Sequence, residues 1–148
     1  MRFAVLHNSD KIKNLARLHR RLNRVCYGGE LSEEIGFDIA NVHKRNENTA
    51  AVFRVYPTKE LKPQIIFDWN LTDVDFSLFE TAKQEIRAAA TVMLHEMAHQ
   101  YCYENGIPDT VHGEEWKAVA RAHGLEDPNE AEQLNIAGEF AIINFTWR

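Results

Sequence analysis

The segment VMLHEMAHQYCY, residues 92 to 103, sets His95, Glu96 and His99 in a run otherwise apolar enough for a buried helix. Such groups are costly to bury without partners. Residues four apart stack on one helix face about 5 to 6 Å from each other, so two imidazoles in the pattern His-Glu-x-x-His can grip one ion between them. Glu96 is turned about 100° from His95. It therefore flanks such an ion without ligating it and can take a proton from water held there. Shuffling this composition produces the five-residue pattern in about 0.03 of chains, so a third ligand has to carry the argument further. Catalytic zinc sites usually hold three protein ligands and one water.

His112, in VHGEEW, is the best candidate for that third ligand. Helical residues 100 to 104 carry the chain about 7 to 8 Å past His99, and the Asn105-Gly106 turn with the loop after it can bring the chain back. Gly113 allows a close backbone approach beside the ion, and Trp116 can anchor the helix that follows. Other ligands compete less well. Cys102 shares the face of His95 and His99 but lies about 10 Å along the axis from His95, and it reads as a packing residue. His123 falls on the apolar side of its own helix, about 16 Å of helical rise beyond His112, and reads as a core or cap histidine. Glu114 or Glu115 would serve in a glutamate-ligand variant. His7, His19 and His43 have no metal-like spacing. The bland alternative, two hydrogen-bonded histidines in a packed helix, needs several well-placed partners.

The elements that must position these groups can be read along the chain. A length of 148 residues, 45% hydrophobic and 26% charged, suits one core and is too short for two, so residues 1–148 are expected to form a single domain. Ile12, Leu15, Leu18, Leu22 and Val25 make the apolar stripe of an amphipathic first helix, which Gly28 and Gly29 interrupt. Ile35, Phe37 and Ile39 alternate as a half-buried strand does, and residues 50–56 and 64–69 have strand composition. Ser77 to Glu80 fits a capping box that opens a helix running to about Glu104, stopped by Asn105-Gly106 with Pro108 beyond. Glu114 to His123 reads as another helix, Asp127-Pro128 opens a further short one closed by Gly138, and the tail EFAIINFTWR has strand composition. The order is that of an α+β fold, a small three-stranded sheet covered by helices.

Composition also excludes classes. Cys26 and Cys102 are the only cysteines, so neither a disulfide framework nor a four-cysteine zinc ribbon can be built, and metal chemistry must rely on His and carboxylates. The apolar start is far short of a signal-peptide core, and the run from Ala88 to Leu94 is too short to span a bilayer. A cytoplasmic protein without a membrane partner is expected. The formal charge of −5 argues against a general nucleic-acid coat, yet residues 10–24 carry a local excess of five positive charges through Lys11, Lys13, Arg17, Arg20, Arg21 and Arg24. These lie on the outer face of the first helix, a solvated face with the option of weak phosphate contact.

The run HEMAH, followed after twelve residues by His112-Gly113 and then Trp116, resembles the SprT-like family, which includes the Spartan-type DNA–protein crosslink proteases. Upstream, LARLHRRLNRVCYGGELSEEIGF is similar to that family's opening helix, and QIIFDWNL sits where the family has the strand before its active-site helix; the similarity spans roughly residues 15–125. The resemblance implies a zincin-like metallopeptidase domain with one Zn2+ on His95, His99 and His112 and Glu96 as general base. Many relatives end in a cysteine-based zinc ribbon, which this sequence lacks. A peptide or protein substrate is then expected to add along the strand at residues 64–69, with Tyr56, Tyr101 and Tyr103 equal candidates for stabilising an oxyanion. Two rival functions are a nucleic-acid-associated protein in which zinc only braces the fold, and a regulatory peptidase that cuts one specific repressor.

Overall fold

The computed structural model describes residues 8–40, 51–58, 60–68, 83–109 and 112–125. Within them the order is helix α1 (Asn8–Tyr27), strands β1 (Gly36–Ala40), β2 (Ala51–Arg54) and β3 (Gln64–Asp68), then helices α2 (Lys83–Asn105) and α3 (Glu114–Ala122). The expected α+β architecture is present, with strand bounds within two residues of those read from the sequence. The capping box at 77–80, the helix after Asp127 and the terminal strand fall outside the described residues.

Helix α1 buries Leu15, Leu18 and Leu22 and leaves Lys13, Arg17, Arg20 and Arg24 exposed, as its stripe requires. It stops where Gly28 and Gly29 take φ of +60° and +80°, a left-handed region open to glycine without steric cost, and Gly29 N–H reaches back to Asn23 C=O at 2.9 Å. Asn23 is buried and also ties the chain leaving the turn: its amide nitrogen donates to Leu31 C=O at 2.9 Å and its oxygen accepts from Leu31 N–H at 3.1 Å. This clasp sets the direction in which β1 departs.

The sheet order is β1-β3-β2, with β1 parallel and β2 antiparallel to β3. Register aligns Phe37, Ile65 and Phe53 in one cross-strand row and Ile39, Phe67 and Ala51 in the next. All six belong to the apolar core or pack against it. Ile66, whose side chain points the other way by the two-residue period of a strand, is buried but lies outside that core cluster. The helices therefore cover one face. α1 packs on β1, while α2 packs on β2, α1 and α3. Because β3 is paired on both sides, it has no free edge to receive a further strand. The expected docking of a peptide along residues 64–69 is thus corrected: among the described strands the edge beside α2 belongs to β2.

The central helix explains its own unusual composition. Ala89, Ala90, Val92, Met93, Leu94, Met97, Ala98 and Cys102 are all buried, on more than one side of α2, as in a helix enclosed by its neighbours. Its buried Gln100 accepts through Oε1 from His19 Nε2 at 2.7 Å, and its amide nitrogen donates to Ser32 C=O at 2.9 Å and Glu104 Oε2 at 2.7 Å. Polar groups of α2 outside the His-Glu pattern thus find partners on α1 and the loop after it.

Replacing Asn23 by Ala leaves both Leu31 backbone groups unpaired and should cost about 1–3 kcal/mol in urea denaturation. Asn23→Asp, which keeps the acceptor, should cost less.

Candidate metal and catalytic site

His95 and His99 lie one turn apart on α2, with ring centroids 5.1 Å apart. Beyond them Gly106, at φ +63°, ends the helix, and Ile107 N–H returns to Cys102 C=O at 2.9 Å, the hydrogen bond of a Schellman stop. The chain then turns back and delivers His112. Its Nε2 lies 2.9 Å from His95 Nε2 and 3.2 Å from His99 Nε2. The three ligand atoms fall within 4.8 Å of one another. Tetrahedral zinc with Zn–N of 2.0–2.1 Å holds its nitrogens about 3.3 Å apart, so a metal ion fits this set with little movement. Among the described residues no other group of three or more His, Cys, Asp or Glu side chains is so placed.

The chemistry of the donors agrees. Burial, followed by the nearby His99 and His112 imidazoles, pushes His95 down to about 3, and burial also lowers His112, helped by His99. Neutral imidazole is the form that donates a lone pair to a cation. His95 Nδ1 is buried without a hydrogen-bond partner among the described residues. His99 Nδ1 is hydrogen-bonded to Asp109 Oδ2 at 2.5 Å. With Nδ1 donating to the carboxylate, the lone pair of His99 is directed through Nε2 toward the other two rings.

The sequence reading did not single out Asp109. An acidic residue in the loop between two prospective ligands is a faint signal, since only the returning chain path shows which ring it meets.

Trp116 does more than anchor α3. It is fully buried, and its ring centroid lies 4.7 Å from His95, 5.0 Å from His99 and 4.5 Å from His112. One indole thus packs against all three imidazoles and restricts their tilt. Gly113 has φ −68° and serves as the N-cap of α3. The residue before it, His112, takes left-handed backbone at φ +61°, a conformation uncommon for a side-chain-bearing residue and one that accumulates at functional sites.

Glu96 is buried, as its turn away from His95 requires, and faces β2. Burial, then the charge of Asp109, raises its carboxyl to about 8, while a hydrogen bond from the Phe53 backbone favours the charged form. A cleft of about 580 Å³ opens over these groups, its walls including Ala51, Phe53, Val55, Ile107 and Tyr103. The remaining candidates stand apart. Cys102 is a buried free thiol in the core. His123 caps α3, its Nδ1 donating to Val119 C=O at 2.7 Å, and stacks on Tyr27 at 4.0 Å. Glu114 and Glu115 are exposed in the first turn of α3, and Glu114 pairs with Lys117 at 3.5 Å.

Asp109→Ala should lower zinc affinity by about 10- to 100-fold in a competitive chelator titration. A second expectation concerns the chain stripped of metal. Folded Glu96 keeps its proton up to about pH 8 against an ordinary value of 4.5, and folded His95 stays neutral down to about 3 against 6.5. From pH 6.5 to 8 only Glu96 differs, the folded state holds the extra proton, and stability falls as pH rises, by at most about 1.4 kcal/mol per unit. Between 4.5 and 6.5 Glu96 is opposed by His95 together with His112 and His19, which burial also lowers. Below 4.5 the histidines act without Glu96, and stability falls as pH falls toward 3. Denaturation at stepped pH should show this profile, and Glu96→Gln should flatten its alkaline limb.

Searches of curated proteins and of solved structures found no match. The model of the SprT-like family matches residues 15–135, from the middle of α1 past the end of α3. That span includes the clasp at Asn23, the whole sheet, the three converging histidines and Glu96, and the chain accordingly belongs to the SprT-like family.

Proposed function

We propose that the chain is a zinc-dependent endopeptidase that hydrolyses peptide bonds of protein substrates, with His95, His99 and His112 holding one zinc ion and Glu96 as general base. The observation that supports this best is the convergence of three Nε2 atoms beside a buried carboxylate in an open cleft. Zinc in such a place supplies a lowered pKa for water and a polarised carbonyl.

The chain's own groups account for the rest of the reaction. A substrate segment lies extended along β2, adding to the sheet edge that faces α2. Glu96 is held between that edge and the histidines, close enough to Phe53 to accept its N–H. A carboxyl with a pKa raised toward neutrality serves both as acceptor and as donor near pH 7. It takes the proton of the attacking water and hands it to the departing amine as the C–N bond breaks. Asp109 holds His99 in register and Trp116 holds all three rings. Of the three tyrosines considered for the oxyanion, Tyr103 alone lines this cleft. The free cysteines Cys26 and Cys102 suit a reducing compartment, and a cytoplasmic site of action is part of the proposal. No helix among the described residues is long and apolar enough to cross a membrane.

A weak nucleic-acid contact through Lys11, Lys13, Arg17, Arg20, Arg21 and Arg24 enters this reading only as a tether. Helix α1 packs on β1, at the edge of the sheet opposite β2, and Arg20 pairs with Glu33 at 3.7 Å. Such a contact would hold the chain near its substrate without entering the cleft.

Glu96→Gln should retain stoichiometric zinc by elemental analysis while peptide cleavage falls about 100-fold or more; undiminished cleavage removes the proposed base. His112→Ala should lose the metal, and unchanged zinc content would name a different third ligand. Zinc retained with four protein ligands and no turnover would instead favour a purely structural ion.

A further inference from the structure

Three large apolar side chains are exposed among the described residues: Val55 (44%), Leu61 (56%) and Tyr103 (53%). They are not scattered. Val55 and Tyr103 line the cleft that contains the histidines and Glu96. Leu61 and Tyr103 line a second cleft of about 720 Å³, whose other walls combine Tyr56, Pro57 and Pro63 with the charged Glu34, Glu60 and Lys62. Tyr103 is common to both, so the two clefts adjoin at its side chain. Isolated exposed apolar residues need no explanation, whereas a contiguous apolar lining with polar margins marks a binding surface.

Resting on the peptidase reading, we propose that the second cleft is a specificity subsite for one aromatic or large aliphatic side chain of the substrate, with Tyr103 and Leu61 as its determinants. The chain offers the chemistry for it. Tyr103 sits on the last turn of α2, one turn beyond His99, and is braced edge-on by Phe53 with ring centroids 5.9 Å apart. Tyr56, in the wall of the cleft, donates its hydroxyl to Gln64 Oε1 at 2.8 Å, which leaves that donor satisfied beside an apolar guest. Lys62 is paired with Glu34 at 3.3 Å and Glu60 adds a further carboxylate, so the walls disfavour an acidic guest and leave an apolar one to be recognised by its surface.

The position of the guest follows from strand geometry. Phe53 lies beside Glu96 and Tyr56 borders the second cleft, a span of three residues or about 10 Å of extended chain. A substrate strand paired along β2 therefore places the side chain two to four residues from its scissile bond in this subsite. Tyr103 is a specificity residue and not part of the proton-transfer machinery.

The test uses the zinc-loaded chain and a randomised peptide library, with sequencing of the products. Enrichment of Phe, Tyr, Leu or Met at one position two to four residues from the cut is expected. Leu61→Ser should abolish that enrichment and raise KM for a peptide carrying Phe there about tenfold, with kcat and zinc content unchanged; Tyr103→Ser should likewise abolish the enrichment and raise KM, and Tyr103→Phe should restore wild-type KM. Both positions are more than half exposed, so folding is not at stake. Binding of the same fluorescein-labelled peptide to the Glu96→Gln chain gives a second readout and should weaken equally on adding Tyr103→Ser. Cleavage without positional preference, or KM and binding indifferent to both substitutions, would overturn the subsite while leaving the peptidase reading intact. Tyr103-dependent binding with no cleavage of any peptide would sustain the subsite and remove the peptidase reading.

Discussion

The structure depends on a conflict within α2. This helix is the element around which α1, the sheet and α3 assemble, so its surface must be apolar, yet it carries two imidazoles and a carboxylate where burial penalises charge. The conflict is resolved locally. His95 and His112 are held neutral by burial and mutual proximity, and Glu96 is raised far enough to keep its proton near neutrality. Crowding three imidazoles with their Nε2 atoms converging is unfavourable for the bare chain and favourable for a cation. The same geometry that strains the core therefore defines what the core can bind.

Each neighbouring element contributes to that resolution. α3 brings Trp116 under all three rings, the returning loop brings Asp109 to His99, and β2 brings a backbone N–H to Glu96. None of these is a ligand. Together they fix the tilt of the imidazoles and the position of the carboxylate, the degrees of freedom on which metal geometry and proton transfer depend.

Much of this was legible in the sequence because periodicity reports burial. The stripe of α1, the β-branched composition of β2 and β3, and the four-residue spacing of His95 and His99 each translate directly into a face. His112 could be proposed because chain length from His99 allowed its return. What could not be read were relations between elements. The antiparallel placement of β2 puts β3 in the interior of the sheet, and strand composition does not distinguish an edge from a centre. Asp109 is one acid among many until the loop path puts it on His99. Nothing in the sequence marks His112 as the residue that takes left-handed backbone, and the structure puts it there, where the demands of the site override backbone preference.

That strain has a bearing on assembly. A histidine twisted into glycine's territory holds its shape only while the segments on either side of it are moored, and those moorings are the Gly106 stop of α2 and the indole of α3. An ion held by His95, His99 and His112 would therefore couple its own uptake to the seating of α3. It would act as a latch, tightening α3 when bound and loosening it when withdrawn.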